Sequence, residues 1–221
     1  MDEPAFIDAV RKGDEVEVVT ALRGDRGLAR VRDASGVSVV CLAVYLGREK
    51  LTRLLCAQRD DLDVFEASTA GEVERVRALL DAEPGLANAY SPDGFQPLGY
   101  ACFFGRLELL ELLLARGAQL EAPARNPMQV RPLHSAVAHT DEALALRMAR
   151  RLLESGASPD VLQQGGFTPM HEAALRGHAP LVHLLLEYGA DPLALNADGK
   201  RPSDCARDGG HFEVAWLISP R

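Results

Sequence analysis

Apolar residues along this chain recur three and four apart in short runs, and each run is cut by a glycine and followed by a polar loop. That period is helical, and the brevity of the runs predicts many short helices instead of a few long ones. The clearest stretch reads GGFTPMHEAALRGHAPLVHLLLEYGADPLALN. Thr168 is placed to cap a helix, and Pro169 follows at the first helical position, where its missing N–H costs nothing. Ala173 and Ala174 allow another helix to approach closely, and Gly177 stands where a left-handed residue ends the helix. A second helix begins near Ala179, with Pro180 in its first turn. It runs through Leu181, Leu184 and Leu185 at core spacing and stops at Gly189.

The same punctuation recurs from end to end. Gly13, Gly47, Gly71, Gly105, Thr140, Gly177 and Gly210 stand at equivalent places, separated by 34, 24, 34, 35, 37 and 33 residues. Four residues before each stands an alanine: Ala9, Ala43, Ala67, Ala101, Ala136, Ala173 and Ala206. Seven helix pairs are therefore expected. The third is about ten residues short, one hairpin's worth, so its first helix should follow CAQRDDLDV directly. An offset of 58 residues aligns Gly13 with Gly71, Gly27-Leu28-Ala29 with Gly85-Leu86-Ala87 and Gly36 with Gly94, the mark of a duplicated block. In the fifth unit four extra residues between Thr140 and Gly156 predict a second helix about one turn longer. In the last, Lys200, Arg201, Ser203, Asp204, Arg207 and Asp208 replace apolar positions, as a polar cap closing a stack would.

The pattern T-P-M-H-x-A-A-x-x-G-H, followed by L-L-x-x-G-A-D, resembles the ankyrin repeat almost residue for residue. The resemblance is closest after residue 90; in the second unit Ser38-Val39-Val40-Cys41 occupies the motif, and in the fourth Gly99 stands where His is usual. It implies an all-α ankyrin-repeat solenoid of about seven helix-turn-helix units joined by short β-hairpin loops. One domain over 1–221 is expected, with approximate units 1–32, 33–62, 63–90, 91–125, 126–162, 163–195 and 196–221.

Composition adds exclusions. The net charge of −8, with no basic run, argues against nucleic acid as partner. The acidic opening MDEPAFIDAV lacks a positive leader, and no segment approaches the roughly 18 apolar residues of a membrane span. A cytoplasmic chain, monomeric when free, is the expectation. Cys41, Cys56, Cys102 and Cys205 are widely spaced and read as buried thiols of a reducing compartment.

Candidate chemistry is sparse. His134 and His171 fall on the motif histidine, and His178 and His211 follow hinge glycines; the resemblance implies structural hydrogen bonds for all four. His171-Glu172 opens like H-E-x-x-H, but position 175 is Leu, so the zinc spacing fails. His178 and His183, five apart, point in different directions on a helix. Nucleophile-elbow, phosphate-loop and dinucleotide fingerprints are missing, and Asp60-Asp61, Glu154 and Asp160 read as solvated charge. No catalytic residue, metal or cofactor is expected, and the chain is not expected to be an enzyme.

What remains is surface. The resemblance implies that partners bind a concave side built from the hairpin tips and the two residues before each hinge. Those positions hold Val37, Tyr45 and Leu46 in the second unit and Phe95, Phe103 and Phe104 in the fourth. They hold Val130, Ala138 and His139 in the fifth, and Phe167, Leu175 and Arg176 in the sixth. This stripe is mostly apolar, where a solvated groove would be polar. Phe95 and Phe167 alternatively tuck under the neighbouring hairpin. Phe103 and Phe104, adjacent on one helix, cannot both face the core. The implied function is binding another protein, as a scaffold or, alternatively, as a regulator or inhibitor of a specific enzyme encoded nearby.

Overall fold

The helices are short because of how each one ends. In six of the seven pairs, the N–H one residue beyond the hinge glycine donates to the carbonyl of the alanine five positions earlier. Asp14 to Ala9 at 3.0 Å, Arg48 to Ala43 at 2.8 Å and His178 to Ala173 at 3.0 Å are examples. This is the six-to-one bond that closes a helix through a left-handed residue. The alanine thus serves twice: its carbonyl seals the hinge, and its methyl lets helices approach. All seven alanines are buried.

The computed structural model describes residues 1–219, which contain fourteen α-helices. They fall into two compact units. The first takes residues 1–86 with 91–93 and holds three pairs. These are α1 (Glu3–Lys12) with α2 (Glu15–Gly24), α3 (Val39–Tyr45) with α4 (Glu49–Ala57), and α5 (Val64–Ala70) with α6 (Val73–Ala82). The second takes Ala87–Tyr90 and the residues from Gly94 on. It holds α7 (Pro97–Phe103) with α8 (Leu107–Ala115), α9 (Pro132–Val137) with α10 (Glu142–Glu154), α11 (Pro169–Leu175) with α12 (Ala179–Glu187), and α13 (Pro202–Asp208) with α14 (Phe212–Leu217).

In the first unit the expected short connection is present. Gln58–Asp63 leads from α4 into α5 without a finger, and an ion-pair network fills the place. Arg59 donates to Glu66 at 2.9 Å with both side chains almost wholly buried, and also to Asp61 at 2.6 Å. Arg30 reaches Asp61 at 2.8 Å and Arg32 reaches Asp63 at 2.8 Å. Asp61 is therefore paired while still exposed, a solvent-facing charge held by two arginines. Hydrogen bonds from Arg59 and Arg30 hold the Asp61 carboxyl down at about 2. Asp60 remains exposed. The duplicated G-L-A triplets adopt one conformation, a 3-10 turn over Arg26–Arg30 and again over Pro84–Asn88.

In the second unit Thr140 cannot supply the left-handed hinge, and the fifth pair turns differently. His139 accepts the Asp141 N–H on Nδ1, and Asp141 caps the next helix by accepting from Leu144. That helix, α10, has 13 residues against 9 in α8 and α12, the expected extra turn. The hairpin fingers carry no strand among the described residues; one isolated bridge, Arg32 to Ser38, lies in the first unit. Their arms are too short for a ladder, and their main chains bond sideways instead. Arg125 donates to Gly94 at 2.7 Å, Gln164 to Met128 at 3.1 Å and Ala197 to Gly165 at 2.8 Å.

The closing pair differs from expectation in one respect. On α13 the charges do face outward, with Lys200 paired to Asp208 at 2.7 Å and Arg207 to Asp204 at 2.8 Å, although Ser203 is buried. Helix α14 instead exposes Phe212 (70%) and Trp216 (75%). These residues are four apart and share a helical face, so the cap is polar on α13 and apolar on α14.

Candidate functional site

Most of the stripe, from Phe95 to Arg176, lies in the second unit. In the fourth pair the aromatic rings form a continuous chain. Phe95 lies 5.5 Å from Tyr100, Tyr100 lies 6.4 Å from Phe104, and Phe104 meets Phe103 edge-on at 5.0 Å. Gly99, which stands at the motif-histidine position of this pair, adjoins the cluster: a Cβ there would meet the Phe95 ring at 3.4 Å, in ordinary contact. Of the two adjacent phenylalanines Phe103 is the exposed one, at 55%, and Phe104 is half-buried between it and Tyr100. Because Tyr100 lies four residues before Phe104 on the same face of α7, the pair stacks and leaves Phe103 outward.

The other sequence-derived positions are distributed as follows. Val130 and Phe167 are half-buried, with Phe167 edge-on to His171 at 5.6 Å. Leu175 and Arg176 are exposed, and Arg176 gives its Nε to Glu172 at 2.5 Å. His139 is half-buried against Gly105, where a Cβ would lie 2.6 Å from its Nε2; this close approach requires the glycine. Val37, Tyr45 and Leu46 belong to the first unit. Val37 is half-buried, Leu46 exposed, and the Tyr45 hydroxyl donates to Asp93 at 2.5 Å.

The motif histidines are structural members. His171 accepts the Thr168 N–H on Nδ1 at 3.1 Å and reaches the Lys200 carbonyl through Nε2 at 3.1 Å. His134 reaches the Phe167 carbonyl at 3.0 Å, and His178 reaches that of Glu142 at 3.1 Å. Burial lowers the basicity of His134, to about 4, and that of His171. Burial pushes the Cys41 thiol up to about 11 and Cys56 to about 12, and raises Cys102 and Cys205, so none is poised as a thiolate. Among the described residues no group of three His, Cys, Asp or Glu side chains is placed to hold a metal ion. Nor is any helix among them long and apolar enough to cross a membrane.

One feature escaped the sequence reading. Phe212 and Trp216 border a groove of about 970 Å³ that also involves Ala179, His211, Val214 and Leu217. The i, i+4 spacing of the two aromatics was the available signal; the charges of α13 beside it argued the other way.

Family models agree with this architecture. Residues 133–220 match a model described as ankyrin repeats in three copies, and residues 93–125 match one described as an ankyrin repeat. Together they cover more than half of the chain. Among curated proteins, the ankyrin repeat protein nuc-2 of Neurospora crassa is 29% identical over 204 residues, 77% of this chain and 19% of that protein. The ankyrin repeat, SAM and basic leucine zipper domain-containing protein 1 of Dasypus novemcinctus is 32% identical over 149 residues, 66% of this chain and 31% of that protein. The ARF GTPase-activating protein GIT2 of Mus musculus is 42% identical over 71 residues, 32% of this chain and 10% of that protein. The chain thus spans less than a third of the length of these relatives.

Proposed function

This chain belongs to the ankyrin-repeat family, whose repeats are generally protein–protein interaction modules, and on that premise we propose that it binds a partner protein through its finger side, with Phe103 at the centre. The observation that carries the proposal is the exposure of Phe103 at the end of the four-ring chain. A side chain more than half in solvent contributes little to the core, yet the rings behind it hold it in one place. Aromatic anchors of that kind dominate the energetics of interfaces. Around it, Phe95, Phe104, Val130, His139, Phe167, Leu175 and Arg176 supply the rest of the surface. In the first unit Val37, Tyr45 and Leu46 form a smaller patch of the same type. A reducing, cytoplasmic setting suits four buried, unpaired thiols.

The test is affinity capture from the native host on immobilised wild-type chain and on Phe103→Ala, read by quantitative mass spectrometry. The expected result is one or more proteins retained by the wild type and lost by the variant. Equal retention on both would overturn the assignment of the face.

A further inference from the structure

From the charges that border this face we infer the chemistry of what it binds: an extended segment that carries carboxylates beside an aromatic or aliphatic anchor. The inference rests on the proposed binding face and adds the class of ligand.

The argument begins with an imbalance. The chain carries 32 acidic and 24 basic side chains, and the region from Gly94 on carries 14 acidic and 12 basic, so acids outnumber bases there by two. On the finger side of the second unit the pattern reverses. In its first three repeats, the residue that closes each finger and the two before each hinge include no Asp or Glu. The equivalent positions of the last repeat do hold a carboxylate, Asp208, and Lys200 neutralises it at 2.7 Å. Two arginines, Arg125 and Arg176, and the uncharged hydrogen-bonding partner His139 border this face. Arg125 is exposed, lies next to the Phe95 finger through its N–H to the Gly94 carbonyl, and stands with its guanidinium 3.7 Å over the Tyr90 ring. Stacked in that way it keeps its planar N–H donors for a carboxylate. At the other end of the ring chain His139 packs against Gly105, the residue after Phe104. Arg176 gives its Nε to Glu172, whose carboxylate is part-buried beneath it.

The arrangement discriminates as well as attracts. A basic segment would be drawn to the acidic remainder of the surface and would meet Arg125 and Arg176 here. An acidic segment meets no carboxylate at those finger and hinge positions, and the exposed Phe103 ring offers it an apolar contact.

The experiment is selection of a displayed random-peptide library against the full chain, followed by measurement of selected synthetic peptides by fluorescence anisotropy on wild type, Phe103→Ala and Arg125→Glu. The expected peptides are enriched in Asp and Glu next to Phe, Tyr, Trp or Leu. Their affinity should fall at least about tenfold with either variant, as for loss of a central contact, and should weaken as NaCl is raised. Peptides that are neutral or rich in Lys and Arg, lost with Phe103→Ala but indifferent to Arg125→Glu, would overturn the charge inference and leave the face intact. A selection whose peptides ignore Phe103→Ala, including one that responds instead to Phe212→Ala, would overturn both.

Discussion

His171 and Thr168 hold one another across the first turn of α11: the Thr168 N–H donates to His171 Nδ1 at 3.1 Å, and its hydroxyl lies 2.8 Å from the same atom. The equivalent pair in the fifth repeat is broken, because Arg131 stands where Thr168 does and the buried Nδ1 of His134 has no partner. Arg131 turns away, donating to the carbonyls of Leu162 at 2.9 Å and of Glu121. His171→Ala should cost about 1–3 kcal/mol, since it orphans buried groups on both sides of the ring. His134→Ala should cost less. Urea denaturation of the two variants checks the order; equal losses would contradict it.

Both histidines also give stability a defined pH dependence. Burial, together with Arg131 and His171 nearby, lowers His134 to about 4 in the folded chain, and burial lowers His171 as well. An unfolded histidine titrates near about 6.5. As pH falls below that value the unfolded chain takes up protons first, so the folded state loses stability. The contribution is fully present above the unfolded value and declines toward about 4, the folded value of His134. Urea midpoints followed across that window should fall with pH, and the fall should be shallower in His134→Leu.

Close packing is tested at Ala101, which is fully buried. Ala101→Leu should overpack α7 and cost about 1–3 kcal/mol. An unchanged melting temperature would contradict the packing at that hinge.

The Arg59–Glu66 pair should behave as a buried ion pair does. Arg59→Met takes from the buried Glu66 carboxylate its closest guanidinium, leaving Arg32 at 3.6 Å, and should destabilise the first unit by about 3 kcal/mol. Replacing both, as Arg59→Met with Glu66→Leu, should recover much of that loss. A double variant as unstable as the single one would show that shape, not charge, fills the missing finger's place.

The two adjacent phenylalanines should separate stability from binding. Phe103→Ala should leave the melting temperature within about 1 °C, as expected of a surface change. Phe104→Ala removes ring contacts on two sides and should cost about 1 kcal/mol or more. A thermal melt of each variant decides between them.

The hinges and the alanines are legible in the sequence because backbone geometry selects them. A left-handed residue favours Gly, and helices in close contact favour Ala. The lengths of α10 and of the finger-free connection follow from spacing alone. Side-chain direction at helix ends is a different matter. Phe103 and Phe104 are chemically identical neighbours, and only the position of Tyr100 decides which one faces solvent. Likewise, nothing in the spacing of Asp60, Asp61 and Glu66 says which carboxylate turns inward. That depends on where Arg59 and Arg30 meet in space, across 29 residues of chain. At α14 the error came from treating a repeat as uniform, when its two helices have opposite outer faces.

The fingers of the second unit are joined by main-chain hydrogen bonds from Arg125, Gln164 and Ala197 to Gly94, Met128 and Gly165. Main-chain donors are common to every residue but proline. Side chains at these donor positions can therefore be exchanged freely while the rail that holds the fingers stays in place. Recognition can drift by point substitution without passing through an unfolded intermediate, and a change of partner costs this scaffold little. Proline at 125, 164 or 197 is the exception, and selection should exclude it whatever the partner.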